Sequence, residues 1–350
     1  LPSDSAGKRV LVSGANGFIA AHAVERLLVR GDAVVGTVRD PADSKNAFLE
    51  ELPGGERLTL VAADLGGADP FGTHVDVDAV LHMASPYVMD VRDPQRDLVD
   101  PAVNGTLAML RAAAKSPSVK RVVLTSSMAA VTDEPDGRLL AERDWNTRSS
   151  LTRNPYYHSK TLAERAAWDF MEREKPGFDL VVLNPFLVIG PAHSKAINTS
   201  NQIFVDLLAG KYPAVMALDW GFVDVRDVAD AHLAALDRPQ AHGRYLCAAE
   251  TMDMAHVVAL MRELGYRGKL PSLKLTGAAG TALMRLASYA QPKGVGSYLR
   301  THLGRHPRFD TGKIRRELGI TFRPVADSIR DTLADLARWG HIANPEGTAA

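Results

Sequence analysis

Along the first half of the chain, short runs of apolar residues alternate with longer stretches whose apolar positions recur every three or four residues. Runs such as Val10-Leu11-Val12, Val122-Val123-Leu124-Thr125 and Leu180-Val181-Val182-Leu183 show no polar alternation, as expected of strands covered on both faces. The pattern predicts strands over Arg9–Ser13, Ala33–Val38, Leu58–Ala62, Ala79–His82, Arg121–Thr125 and Leu180–Leu183. It predicts helices over Ile19–Arg30, Leu98–Ala114 and Asn154–Lys175, the last stopped by Pro176-Gly177. On the second of these, Leu98, Ala102, Leu107, Leu110 and Ala114 would share one face. Strands that alternate with helices on this scale mark βαβ units, so the expected class is α/β with a doubly wound parallel sheet. After Asn184-Pro185 the pattern loosens. Residues 192–222 and about 265–310 hold more glycine, proline and isolated aromatics, and helices are expected only at Val225–Leu236, Met254–Leu264 and Val325–Trp339. The chain therefore divides into a sheet-based domain over 1–185 and a smaller lobe over 186–350, with elements near 223–250 returning to the sheet.

The first strand runs into Ser13-Gly14-Ala15-Asn16-Gly17-Phe18-Ile19-Ala20, and a helix follows. Glycines three apart permit a tight turn and let backbone N–H groups approach a pyrophosphate at a helix N-terminus. Without a Gly-Lys-Ser/Thr sequence this is not a kinase-type phosphate loop. The second strand ends in Val38-Arg39-Asp40. A guanidinium about 20 residues past the loop suits a 2′-phosphate, and Lys45 follows on the next helix, so the expected cofactor is NADP(H). Asp40 keeps NAD open, although it lies one residue beyond the preferred position. Asp64-Leu65 follows the third strand, where an aspartate can take an adenine amino group or simply cap a turn.

Tyr156 and Lys160 stand at i, i+4 at the start of the long helix and so share a face. A free phenol, with a pKa near ~10, exchanges its proton poorly at neutral pH. An ammonium at ~5 Å and an effective dielectric of ~20 favours the phenolate by roughly 3 kcal/mol, about a hundredfold in acidity. The spacing alone is common. Ser126-Ser127, at the carboxyl end of the fifth strand, gives it weight, because ligands of open α/β sheets bind there and a hydroxyl can steady a carbonyl as charge develops. Ser127 is favoured, with Ser126 as the alternative. Tyr157 points away by about 100°, and both it and His158 read as packing or polar helix residues.

With 350 residues, 46% of them hydrophobic, the chain is long enough for a large core. Lys+Arg and Asp+Glu balance at 41 each, which argues against a nucleic-acid or polybasic membrane partner. One cysteine, Cys247, cannot form an internal disulfide, and no apolar stretch reaches the ~18 residues of a membrane span. The polar start, Leu1 to Arg9, carries no signal-like run, so a cytoplasmic location is expected. Leu1–Ala6 and Asn344–Ala350 read as frayed ends. The 11 histidines show no His-x-x-x-His pair in carboxylate company, so no catalytic metal is expected. His82 and Cys247 read as buried packing residues.

Taken together, Gly14-x-x-Gly17-x-x-Ala20, Ser127 and Tyr156-x-x-x-Lys160 resemble the extended short-chain dehydrogenase/reductase superfamily. More narrowly, the chain looks like the dihydroflavonol-reductase-like and microbial NADPH-dependent carbonyl reductases. Thr37-Val38-Arg39, His82-Met83-Ala84-Ser85-Pro86, Asn104-Gly105-Thr106, Thr125-Ser126-Ser127, Asn184-Pro185, Gly190-Pro191 and Val223–Val228 carry that likeness. Ala20 in place of the usual third glycine is the one departure. The resemblance implies a Rossmann-type NADP-binding domain over 1–185 and a substrate-binding lobe beyond it. It implies cofactor contacts from Gly14, Asn16, Gly17, Phe18, Ile19, Arg39, Lys45, Asp64, Leu65, Ala84, Ser85, Thr125, Tyr156, Lys160, Pro185 and Val188. Pro86, Tyr87, Ser127, Phe186 and Phe204 fall where the substrate pocket would be built. The implied reaction is hydride transfer from NADPH to a prochiral ketone or aldehyde. A nucleotide-sugar epimerase or dehydratase holding NAD, and a non-catalytic NADP-binding sensor, are the alternatives. Substrate identity and the choice of monomer or homodimer are not legible in the sequence.

Overall fold

The computed structural model describes residues 7–65, 67, 69–85 and 91–345. Pro86 and Tyr87 lie outside the described residues, as do Leu1–Ala6 and 346–350 of the expected frayed ends. The strands in chain order begin with β1 (Arg9–Ser13), β2 (Ala33–Val38), β3 (Leu58–Ala62), β4 (Ala79–His82), β5 (Arg121–Thr125) and β6 (Asp179–Pro185). They continue with β7 (Leu187–Ile189), β8 (Asp219–Asp224), β9 (Gly243–Cys247) and β10 (Glu250–Asp253). The longer helices are α1 (Phe18–Arg30), α2 (Asp100–Lys115), α3 (Pro155–Glu174), α4 (Thr199–Leu208) and α5 (Val225–Asp237), then α6 (Met254–Glu263), α7 (Ala278–Ala287), α8 (Lys293–His302) and α9 (Val325–Arg338).

Seven parallel strands form the main sheet in the order β9-β6-β5-β4-β1-β2-β3. The chain winds outward in both directions from β1 and β4, so a crevice opens at their carboxyl ends, where such sheets bind ligands. Both faces are covered. Ala20, Ala23, Val24 and Leu27 of α1 and Val228, Ala231 and Ala235 of α5 pack on Val10, Val12, Leu81 and Val123. Met109, Leu110 and Ala113 of α2 and Ala167 and Phe170 of α3 pack on Leu11, Val80, Val122 and Val182 opposite. This explains the unbroken apolar strands. The buried face of α2 differs from the sequence expectation: Leu107 is half-buried and Ala114 exposed, while Met109 and Ala113 point inward. Gly105 and Thr106 fill the middle of that face, so it lacks an apolar signal there. A Cβ on Gly105 would come within 2.9 Å of the Leu65 side chain.

Beyond β6, the sheet pairing of β8 with β7 and β10 anchors the lobe. Its own core gathers Phe204, Trp220, Phe222, Met254, Met261 and Leu303 with Ile329 and Leu333 of α9. Glycines obscured α7 and α8 in the sequence. Gly296 serves a close approach, since a Cβ there would lie 2.4 Å from the Ser288 carbonyl oxygen. No described helix is long and apolar enough to cross a membrane.

Candidate active site

The β1–α1 turn sets one end of the site. Gly14 adopts φ +66°, and a Cβ there would meet Ala84 at 3.2 Å. Gly17 caps α1 without a side chain, and no acidic residue stands in the first turn. α4, α5 and α6, by contrast, each begin with an Asn or Asp side chain that accepts from the backbone. The first N–H groups of α1 therefore keep their partial positive charge for an anion. Asn16 is oriented by Asn46, whose carbonyl accepts from the Asn16 amide at 2.8 Å while its own amide donates to the Asp40 backbone. Buried Asn46 had no signature in the sequence.

At the end of β2, Arg39 is exposed. Asp40 turns its carboxylate onto the Ala42 N–H at 3.0 Å, a local turn bond. Lys45 pairs with Asp43 at 2.6 Å. Asp64 is exposed and Leu65 covers Gly105.

A cavity of about 640 Å³ runs from this turn into the lobe. Gly14, Gly17, Phe18, Ile19, Ser85, Thr125, Ser127, Tyr156, Lys160, Pro185, Phe186 and Val188 line it. The lobe adds apolar walls from Ile203, Met216, Leu218, Trp220, Met284 and Leu299. Phe204 does not reach the cavity. It is fully buried and stacks on Phe222 with ring centroids 6.3 Å apart. On α4 the neighbouring Gln202 and Ile203 face the opening, and one residue turns a side chain by about 100°. Asn16 opens instead onto a small cleft beside the loop, and Ala84 packs under Gly14.

The two serines at the end of β5 have different surroundings. Ser126 is buried and donates to Glu164 at 2.5 Å. Ser127 caps the following turn by accepting from the Ala129 N–H at 3.1 Å, which leaves its O–H free to donate. Thr125 has its hydroxyl 2.7 Å from His232 Nε2, and His232 Nδ1 donates to the Val228 carbonyl at 2.7 Å. Burial lowers the His232 pKa to about 4, so the ring is neutral and Nε2 accepts the threonine proton. His82 is likewise neutral, its pKa lowered to about 3 by burial and by Lys160. The Ser13 hydroxyl accepts from the Met83 and Ala84 N–H groups at 2.9 and 3.0 Å, so its proton goes to His82 Nδ1 at 2.8 Å.

Lys160 is 7% exposed, with its Nζ 5.9 Å from the Tyr156 ring centroid. Burial lowers its pKa to about 8, against the attraction of Glu164 one turn on. Glu164 is the centre of a buried network that the sequence does not reveal. It accepts from Ser126, from Asn184 at 2.8 Å and from Arg244 at 2.5 Å. Arg244 also donates to the Glu142 and Asp144 carbonyls and lies 3.9 Å over the Trp145 ring. The entry to α3 is pinned from the lobe. Asn154 is buried with φ +48°, its backbone N–H donates to Ser297 at 3.0 Å, and its amide donates to Thr301 at 3.0 Å.

Residues 10–248 match the NAD dependent epimerase/dehydratase family. The chain belongs to this family. Cinnamoyl-CoA reductase 1 of Arabidopsis thaliana is 39% identical to this epimerase/dehydratase-family chain, over 97% of the chain and 92% of the relative. Cinnamoyl-CoA reductase CAD2 of Medicago truncatula is 41% identical, over 96% and 98%. Among solved structures, yeast methylglyoxal/isovaleraldehyde reductase Gre2 complexed with NADPH is 32% identical with a TM-score of 0.77, covering 95% of this chain and all of that one. The seven-stranded parallel sheet is the Rossmann-like frame of this family, and the likeness to reductases of the extended short-chain dehydrogenase/reductase type covers 95–97% of the chain.

Proposed function

We propose that this family member is an NADPH-dependent carbonyl reductase that converts a ketone or aldehyde to the alcohol. The observation that carries the reading is the convergence of Ser127, Tyr156 and Lys160 on one cavity between the uncapped start of α1 and an apolar lobe. The residues fit the cofactor. The Gly14–Gly17 turn and the first N–H groups of α1 would hold the pyrophosphate, Arg39 with Lys45 the 2′-phosphate, Lys160 a ribose hydroxyl, and Pro185 and Val188 the nicotinamide. NADPH, when bound, supplies the hydride.

Ser127 Oγ, with its proton free, and Tyr156 Oη donate to the carbonyl oxygen and steady the charge that develops there. Tyr156 then delivers the proton that completes the hydroxyl. Lys160 lies in a nearly dry setting beside the phenol, where its charge favours loss of that proton. Ser127 is preferred to Ser126 for this role because Ser126 donates its proton to Glu164. Tyr156→Phe tests the assignment. Turnover of a carbonyl panel is expected to fall by at least about 100-fold with NADPH affinity unchanged; a near-normal kcat would refute it.

The two cinnamoyl-CoA reductases support a second reading, reduction of an acyl-CoA thioester. Apart from Lys160, the only lysine or arginine among the described cavity-lining residues is Lys211, already paired with Asp206 at 2.8 Å. The described cavity lining thus adds little positive charge for the coenzyme A phosphates, which favours a small carbonyl substrate. Assays on aldehydes, ketones and acyl-CoA thioesters, each with NADPH and NADH, separate the two.

A further inference from the structure

Outside the cavity, α1 meets the segment that follows β7 at a cluster of three metal-ligating side chains. His22 and Glu25 sit one turn apart on α1, and His193 comes from the segment after Gly190-Pro191. Each offers one ligand atom, and these atoms lie within 4.8 Å of one another. None of the three lines the main cavity.

His22 is 4% exposed, and its Nε2 lies 2.9 Å from the Pro191 carbonyl oxygen. A carbonyl only accepts, so Nε2 carries the ring proton and Nδ1 carries the lone pair. That Nδ1 is buried without a hydrogen-bond partner. His193 Nε2 is also buried and faces Glu25 Oε2 at 3.3 Å, a long contact. The orphaned His22 nitrogen beside a second imidazole and a carboxylate is unmet bonding, because buried polar atoms normally find partners. A bound cation would satisfy it and draw on the other two. The 3.3 Å separation equals the edge of a tetrahedron whose metal–ligand bonds are about 2.0–2.1 Å. The Pro191 carbonyl holds His22 as outer-shell carbonyls hold metal-ligating histidines.

We propose that His22, Glu25 and His193 form a binding site for a divalent transition-metal ion, with zinc the natural occupant. Two imidazoles and one carboxylate select a borderline ion over magnesium or calcium, which prefer all-oxygen shells. Arg26 stands 3.6 Å from Glu25 and pairs with Asp230; its positive field reaches both histidines and is opposed by Glu25 and Asp335 at His193 and by Asp224 at His22. The partly exposed Glu25 and His193 leave an entry path and room for water in the remaining position. The ion would staple α1 to residues 192–198, which close a cleft of about 170 Å³ with Asn16, Gly17 and Phe18. Its role is structural, and it holds whether or not the chain reduces carbonyls.

The test is a zinc titration of the chelator-treated full chain against a competing chromophoric chelator, alongside His193→Ala and Glu25→Gln. One equivalent is expected to bind at micromolar zinc and raise the melting temperature, and cobalt in its place to give visible d–d bands. Both variants sit on partly exposed side chains and should fold. His193→Ala is expected to weaken binding by more than about 100-fold, since even outer-shell partners are worth about 10–100-fold. Absence of binding at micromolar zinc, equal binding of magnesium, or zinc affinity unchanged in both variants would overturn the proposal.

Discussion

Replacing Lys160 with methionine is expected to stabilise this protein while abolishing its turnover. Lys160 is held nearly dry, and burial lowers its pKa from 10.5 to about 8. The folded chain therefore releases this proton more readily than the unfolded chain does. Between pH 8 and 10.5 the unfolded chain holds more protons, so the lysine makes stability rise with pH across that window. Below it, the buried ammonium costs the full difference. At about 1.4 kcal/mol per pH unit, that is about 3 kcal/mol at pH 7. Methionine has nearly the same length and no charge to desolvate. Urea unfolding of the cofactor-free protein, followed by tryptophan fluorescence, measures the effect. Lys160→Met should be about 3 kcal/mol more stable at pH 7, with the gap closing as pH approaches 10.5. A variant no more stable than the parent at pH 7, or a gap that does not shrink with pH, would refute the reasoning. The expected gain would mean that the side chain is retained for chemistry at a cost in folding, the usual trade at functional sites.

Glu164→Gln removes the partner of buried Arg244 and is expected to lower stability by about 3 kcal/mol in the same assay. It also removes the attraction that raises the Lys160 pKa, so the basic limb of the pH–rate profile should move to lower pH. Gly14→Ala forces a side chain into φ +66° against Ala84. Backbone strain of roughly 1–2 kcal/mol should appear as lower stability, with NADPH binding weakened at least tenfold in a fluorescence titration. Arg39→Gln should reduce the preference for NADPH over NADH by at least about tenfold in kcat/KM, the worth of one charge-assisted bond, with NADH rates little changed.

The first five strands of the sheet were legible to the residue, because each is a short, mostly apolar run bounded by turn residues, and all but the half-exposed edge strand β3 are largely buried. Asp179–Pro185 extends past its apolar run because pairing with Leu246 and Cys247 continues it. The glycine turn and the Tyr156–Lys160 spacing were visible because both rest on local geometry. The choice between Ser126 and Ser127 needed Glu164, a partner 38 residues away that only the fold brings to β5. Asn46, His232 and Arg244 were illegible for the same reason: polar residues satisfied by distant partners carry no periodic signal. Phe204 was misplaced in the pocket because an aromatic in an irregular stretch does not reveal which side of a short helix it occupies. The histidine cluster escaped a search by spacing, since its members lie 168 residues apart or more across two elements, save for the His22–Glu25 pair.

Asn154 joins two things usually regarded as separable. The residue just before the helix that presents Tyr156 takes its strained conformation from bonds to Ser297 and Thr301 of α8. The same α8 supplies Tyr298 and Leu299 to the apolar wall. A substitution that reshapes the wall by shifting α8 also tugs on the mount of Tyr156. If Tyr156 is the proton donor proposed above, selectivity and rate are geared together in this scaffold. Engineering along α8 is then expected to trade one against the other, whereas Ile203, on α4, reaches the wall from an element that does not bond Asn154.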